Sequence, residues 1–258
     1  MQEIVISLPF AGRWLVQNSP ARRVPSHGVD LLGERYAIDF VGVDDQRRTA
    51  DRNDWRTLFA TEPPGRFFSF GREVLAPADG IVVAAHDGEI DHQARRSQLT
   101  LVPYALSQPA RLRRGVNAVA GNHLIIALRE SGAFLALVHL RAGSLRVGVG
   151  DAITTGQPIA ACGNSGNSTQ PHLHVQVMDS ADLSVAQGVP MVFRQFREWT
   201  RGKAIREEAP QRTGAGGKGT RGAGPGRIRE FAVPQEAAVV EPVSPSTPRE
   251  SPDPTARR

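Results

Sequence analysis

Cysteine is almost absent: Cys162 stands alone among 258 residues. A single thiol excludes a disulfide framework and any Cys-x-x-Cys metal knuckle. Lysine is nearly as scarce, with only Lys203 and Lys218 in the whole chain. A lipoyl or biotinyl carrier needs a lysine in an exposed hairpin, so that class is excluded as well. Aromatic residues make up 6 % of the chain. No apolar run approaches the roughly 18 residues that span a bilayer. The longest, Ala133 to Leu140, is strand-sized and carries His139 near its end. The opening Met-Gln-Glu-Ile-Val-Ile-Ser has no basic segment and no long apolar one, so no secretory signal is read there. A cytoplasmic chain is the expectation, short of unconventional export or a misplaced start.

The formal net charge is +5, yet its placement argues against a nucleic-acid partner. From Arg201 onward eleven Lys/Arg face seven Asp/Glu, so +4 of the charge sits in the last stretch. The basic character therefore reflects arginine usage and the tail, not a basic face on a domain. Residues 201–258 are rich in Gly and Pro and carry little apolar surface to offset chain ordering. They are expected to be a disordered tail. Residues 1–200, in a chain that is 40 % hydrophobic, are expected to fold as one domain.

Within that domain short β-rich runs recur between Gly, Pro, Asn and Asp punctuation. They are Glu3–Leu8, Tyr36–Val43, Glu73–Leu75, Gly80–Ala85, His123–Leu128, Phe134–Leu140, Ala152–Ile153, Pro158–Cys162 and His172–Met178. Their density predicts a mostly-β domain of paired sheets. Two stretches, Asp44–Phe70 and the Arg-rich Gly88–Ala120, break the rhythm and read as insertions or long loops. Val189–Trp199 reads as a strand turn or a short helix.

Three elements carry candidate chemistry. The sharpest is Gly163-Asn-Ser-Gly-Asn-Ser-Thr-Gln-Pro-His172-Leu-His174-Val-Gln-Val. Its second half alternates strictly, so His172, His174 and Gln176 share one strand face and Leu173, Val175 and Val177 the other. The second is the apolar run that leads to His139. The third holds His27, Asp30 and Asp39, with Asp39 in mid-strand between Ile38 and Phe40. A carboxylate there is costly unless it is paired or bound to a metal. Taken singly, each element also fits a surface histidine, a core histidine or a structural ion pair. Taken together, two histidines and a carboxylate with a position left open match a catalytic zinc site. Further neutral imidazoles beside such a metal can accept a water proton or stabilise an oxyanion.

In the order of its motifs the chain resembles the lysostaphin-type (LytM-like) zinc metallopeptidases. The His/Asp pair is followed by Val-Leu-Ala-Pro-Ala-Asp-Gly-Ile-Val, Gly-Asn-His-Leu-Ile-Ile, the Val-His-Leu strand, Val-Gly-Val-Gly-Asp-Ala-Ile-Thr-Thr-Gly-Gln-Pro-Ile-Ala and the His-Leu-His motif. The resemblance covers about residues 25–180. It implies an antiparallel two-sheet groove (a duplicated hybrid motif) with long loop insertions, Zn2+ as cofactor, and a peptide or peptidoglycan cross-link as substrate. It implies His27, Asp39 and His174 as metal ligands and His139 and His172 as the catalytic pair. The family's first His and its Asp are usually four residues apart, whereas here Arg35 stands four before Asp39. Asp30 therefore stays open as the alternative carboxylate, with Asp39 preferred because Tyr-Ala-Ile-Asp-Phe leads into a strand. The irregular spacing also keeps open a catalytically degenerate member acting as a binding or regulatory module. A phosphocarrier using His139 or His172 is the remaining alternative.

The other residues take plainer readings. His123 is expected to be structural, and His86 and His92 to lie on the surface. Cys162 is expected to be a small buried hydrophobe. Arg95-Arg96 and Arg111–Arg114 are expected to be solvated rims.

Overall fold

A computed structural model describes residues 3–106, 111, 113–200 and 226–243. Thirteen strands run along them: β1 (Ile4–Ile6), β2 (Trp14–Gln17), β3 (Ile38–Gly42), β4 (Glu73–Leu75), β5 (Gly80–His86), β6 (Asn122–Leu128), β7 (Phe134–Leu140), β8 (Ala152–Ile153), β9 (Pro158–Ala161), β10 (Leu173–Met178), β11 (Met191–Trp199), β12 (Arg227–Ala232) and β13 (Val239–Pro242). Three short helices interrupt them, α1 (Trp55–Phe59), α2 (Gln98–Leu106) and α3 (Val116–Ala120). All three lie in the stretches that break the β rhythm. None of the described helices is long and apolar enough to cross a membrane.

Eleven strands form one sheet in the order β1-β11-β13-β2-β3-β10-β7-β6-β5-β8, with β12 also on β11. Strands β4 and β9 form a second, two-stranded sheet. The pairings are antiparallel, except that β1 runs parallel to β11. The mostly-β expectation holds, with one large sheet and one very small one.

The main core fills the space between the sheets. Ile38 and Phe40 of β3, Leu135 and Leu137 of β7, and Leu173, Val175 and Val177 of β10 meet Val74 and Ile159 of the small sheet there. The opposite face of the same strands carries a second cluster, which includes Ala136, Val138 and Met178. With both faces covered, β3 and β10 are buried along their whole length. Period-two alternation then sends Asp39, His174 and Gln176 to the face away from the main core.

Two expectations need correction. Val189–Trp199 is the strand β11, because it is paired on both sides by β12 and β13. The tail expected to be disordered contributes β12 and β13; residues 201–225 and 244–258 lie outside the described residues. Composition averaged over a Gly/Pro-rich stretch hides the apolar pair Val239 and Val240, both of which are buried. Strand β13 bridges β11 and β2, covering edges that would otherwise stay unpaired. Strand β2 itself went unread. It is four residues long, and its place is set by pairing with β3 and β13 rather than by local pattern.

Val240 is fully buried in the main core. Val240→Ala is expected to cost about 2 kcal/mol of stability, read as a lower urea midpoint at unchanged m-value. An unshifted midpoint would mean that the C-terminal strand adds nothing to the domain.

Candidate metal centre

The antiparallel register of β3 and β10 sets Asp39 directly opposite His174. Facing side chains on one side of such a pair stand about 4.5–5.5 Å apart at Cβ. Asp39 Oδ1 lies 2.9 Å from His174 Nδ1. His27 reaches the same carboxylate from a loop, with Nε2 at 3.1 Å from Oδ2. Asn18, just past β2, donates from Nδ2 to Oδ2 at 2.8 Å. Asp30 is elsewhere, half-exposed and paired with Arg35.

His172 and His139 flank this trio. His172 Nε2 is 3.6 Å from Asp39 Oδ1. The His139 and His172 rings lie 4.8 Å apart, and those of His139 and His174 6.0 Å apart. All five side chains line one groove of about 670 Å³. Val29, Leu31, Leu32, Leu106, Val119 and Leu183 supply apolar lining to the same groove.

The placement of His139 overturns simple alternation. Leu135 and Leu137 face the main core, so an unbroken strand would send His139 there too. Instead His139 has φ +61°. The β6–β7 register slips at this point: Asn122 pairs with Leu140 and Leu124 with Leu137, which leaves Val138 and His139 opposite His123 alone. Two residues against one is a β-bulge, and it re-aims the side chain into the groove. Leu140 beyond it returns to the main core.

Each imidazole has one nitrogen tied down. His139 Nδ1 donates to the Ser165 carbonyl at 2.9 Å. His172 Nδ1 donates to the Gln170 carbonyl at 2.8 Å. The Ser26 hydroxyl donates to the Glu34 carbonyl at 3.2 Å, so it accepts from His27 Nδ1 at 3.0 Å. His174 Nε2 faces Gln176 Oε1 at 2.8 Å. The remaining nitrogens of His27, His172 and His174 all turn toward Asp39.

Electrostatics separate the roles. Burial alone would raise the Asp39 carboxyl, but the imidazoles of His172 and His27 and hydrogen bonds from His174 and His27 hold it well below the usual carboxylate range. Burial, reinforced by His172 and His174, pushes His139 well down. Burial also lowers His172, despite the opposing pull of Asp39. Burial works on His174 as well, yet the Asp39 hydrogen bond and charge push it up to about 9. At neutral pH the site thus holds an ionised carboxylate, two neutral imidazoles and a proton on His174 that a metal can displace.

Among the described residues two groups of three have ligand atoms all within 4.8 Å of one another: His27, Asp39 and His174, and His139, His172 and His174. Around a tetrahedral ion with bonds of about 2.1 Å, ligand atoms stand about 3.4 Å apart. The contacts of 2.9 and 3.1 Å at Asp39 come within a few tenths of that. The first group also supplies the negative charge that a dication needs, so its donors fit a zinc ion.

The loop that carries the His-x-His motif is held by the Gly88–Ala120 insertion. His92 Nε2 lies 2.9 Å from the Gly166 carbonyl, and the Tyr104 hydroxyl donates to the same oxygen at 3.1 Å. Arg111 donates to Asn167 Oδ1 at 2.9 Å. Gly166 at φ +68° packs so closely on Gly121 that a Cβ there would collide with the Gly121 amide. His92, half-buried, is therefore a fastening rather than a free surface side chain. Arg113 and Arg114 are exposed, as expected for a rim, but Arg95, Arg96 and Arg111 are not. Arg95 and Arg111 lie over the Tyr104 ring at 4.2 and 3.8 Å, and Arg96 pairs with buried Glu62 at 2.6 Å. His123 is buried with Nδ1 at 2.7 Å from the Gly121 carbonyl, and Cys162 is buried. His86 stacks on His123 at 5.5 Å.

Asn18, Ser26 and the Gln176 contact went unread in the sequence. Asn18 follows the unread strand β2, and Ser26 adjoins a candidate ligand without any spacing signal of its own.

Residues 109–186 match the model of peptidase family M23. That segment holds His139, His172 and His174, while His27 and Asp39 precede it. No curated protein matches the chain. Among solved structures, the catalytic domain of lysostaphin from Staphylococcus simulans is similar at 19 % identity, with 69 % of this chain and 88 % of that one covered and a TM-score of 0.35. A catalytic-domain variant of the prophage-encoded M23 protein EnpA from Enterococcus faecalis is similar at 17 % identity, covering 60 % and 73 %, TM-score 0.34. A zinc-containing peptidase from Vibrio cholerae is similar at 20 % identity, covering 55 % and 43 %, TM-score 0.29.

Because His174 carries a displaceable proton up to about pH 9, zinc affinity of the protein is expected to rise about tenfold per pH unit between pH 7 and 8.5. Calorimetry in buffers of different ionisation enthalpy should show roughly one proton released per zinc over that range. A pH-independent affinity would remove His174 from the ligand set.

Proposed function

We propose that the protein is a zinc metalloendopeptidase that hydrolyses peptide bonds in peptidoglycan cross-links or related short peptides. The observation that carries this reading is the meeting of His27, Asp39 and His174 at one point, beside two further buried imidazoles in the same groove. In this reading His27 Nε2, an oxygen of Asp39 and His174 Nδ1 hold the ion, as three protein ligands do in catalytic zinc sites. When bound, zinc supplies Lewis acidity, acidifying a water to a pKa of about 7 and polarising a carbonyl oxygen.

The chain's own residues supply the rest. His139 and His172 are neutral at pH 7, each with Nδ1–H committed to a backbone carbonyl. Each can use only Nε2 toward substrate. One accepts the proton of the attacking water at Nε2, donates it to the oxyanion while it holds it, and passes it to the leaving amine; the other stays neutral and accepts a hydrogen bond from the same water at Nε2, orienting it. The carbonyls of Ser165 and Gln170 keep both rings from rotating. The apolar walls exclude water around the peptide and strengthen these contacts.

Metal analysis joined to peptide turnover tests the reading. The wild-type protein is expected to hold roughly one zinc per chain and to lose activity to a chelator. His172→Ala should retain the metal while turnover falls about 10²–10⁴-fold. His174→Ala should lose the metal. Stoichiometric zinc in the His174→Ala protein would rule out the assigned ligand set. Full turnover by the His172→Ala protein would remove His172 from the catalytic pair.

A further inference from the structure

Gln176 is a carboxamide whose two ends are told apart by their partners. Its Nε2 donates to the Leu32 carbonyl at 2.7 Å. A carbonyl only accepts, so the nitrogen end must face Leu32. The oxygen end then faces His174 Nε2, at 2.8 Å. A carboxamide oxygen only accepts as well, so the proton on His174 Nε2 is fixed there. The single nitrogen of His174 left to bind a cation is Nδ1, the one that faces Asp39.

The Leu32 end is built as closely as the His174 end. Leu32 sits at φ +54° and Gly33 at φ +78°. A Cβ on Gly33 would overlap the Met178 side chain and press on Gln176 Nε2. This turn lies in the long connection between His27 and Asp39, and it presents Leu31 and Leu32 to the groove. The connection is longer than the usual four-residue spacing and needs anchors of its own. Ser26 and Arg35 supply one through a backbone hydrogen bond of 3.1 Å; Gln176 supplies another.

We propose that Gln176 is a positioning residue with two separable duties: it sets His174 as an Nδ1 metal ligand, and it ties the Leu31–Leu32 wall of the substrate groove to the metal-bearing strand. The inference rests on the metallopeptidase reading above. Groups that hydrogen-bond the free nitrogen of a ligating histidine commonly tune metal affinity 10–100-fold. The two duties part company in substitution. Glutamate at 176 can still accept from His174 Nε2–H, but it cannot donate to Leu32. Methionine can do neither, while keeping similar bulk.

The test uses full-length wild-type, Gln176→Glu and Gln176→Met proteins. Zinc affinity is read by competition with a chromogenic chelator. The His174 tautomer is read by imidazole 15N–1H correlation in zinc-loaded protein and in metal-free protein at pH 10. Gln176→Met should bind zinc about 10–100-fold more weakly and lose the protected Nε2–H signal. Gln176→Glu should keep that signal and near-wild-type zinc affinity, while KM for peptide rises more than kcat falls. Undiminished zinc affinity in Gln176→Met, or a wild-type His174 protonated at Nδ1 instead of Nε2, would overturn the assignment. If the wild-type protein binds no zinc but shows the Nε2–H signal in the metal-free state, the metallopeptidase reading fails and the tautomer assignment stands.

Discussion

One cross-strand pair, Asp39 of β3 against His174 of β10, is the constraint on which the site depends. A carboxylate in the middle of a fully buried strand is costly by itself. It is tolerated because Asn18, His27 and His174 all converge on its two oxygens. The pair is not held by its own attraction alone. Ile38 and Phe40 on one strand, and Leu173 and Val175 on the other, lock the register from the opposite face. A slip of one residue would turn every one of those apolar side chains outward. The hydrophobic core therefore sets the distance between carboxylate and imidazole, and the polar face inherits it.

Around this pair the backbone supplies orientation where side chains supply chemistry. The carbonyls of Ser165 and Gln170 hold the two flanking rings. The loop that carries those carbonyls is fastened in turn by His92, Tyr104 and Arg111. The Gly88–Ala120 insertion is thus more than a groove wall, because the geometry of the histidines runs through it. At the other end, the latch of Ser19 onto the Glu236 carboxylate at 2.8 Å joins the C-terminal strands to the segment that bears Asn18. Elements far apart in sequence so bear on the same few ångströms of the groove.

The strands with clear alternation or a bounded apolar run were legible, among them Glu73–Leu75, Phe134–Leu140 and Ala152–Ile153, whose bounds match the structure. Strands β2, β12 and β13 were not. Trp14–Gln17 and Val239–Pro242 are each four residues long, and Arg227–Ala232 is largely exposed. Such segments become strands because a neighbour offers an unpaired edge, and a window of composition does not contain the neighbour. The rim reading of Arg95, Arg96 and Arg111 failed for a related reason. Arg96 looks like surface charge until buried Glu62 is placed beside it.

What the sequence alone determined was local: the period of two along β10 puts His172, His174 and Gln176 on one face, since successive Cβ atoms in a strand must point to opposite sides. It also supplied a mid-strand carboxylate and a third histidine at the end of an apolar run. Which carboxylate meets the histidines was decided only by the pairing of β3 with β10, which leaves Asp30 to Arg35 at the surface. The inward turn of His139 was decided by a bulge against β6, contrary to its own strand's alternation. Register and bulges are agreements between distant segments, so no single stretch of chain contains them.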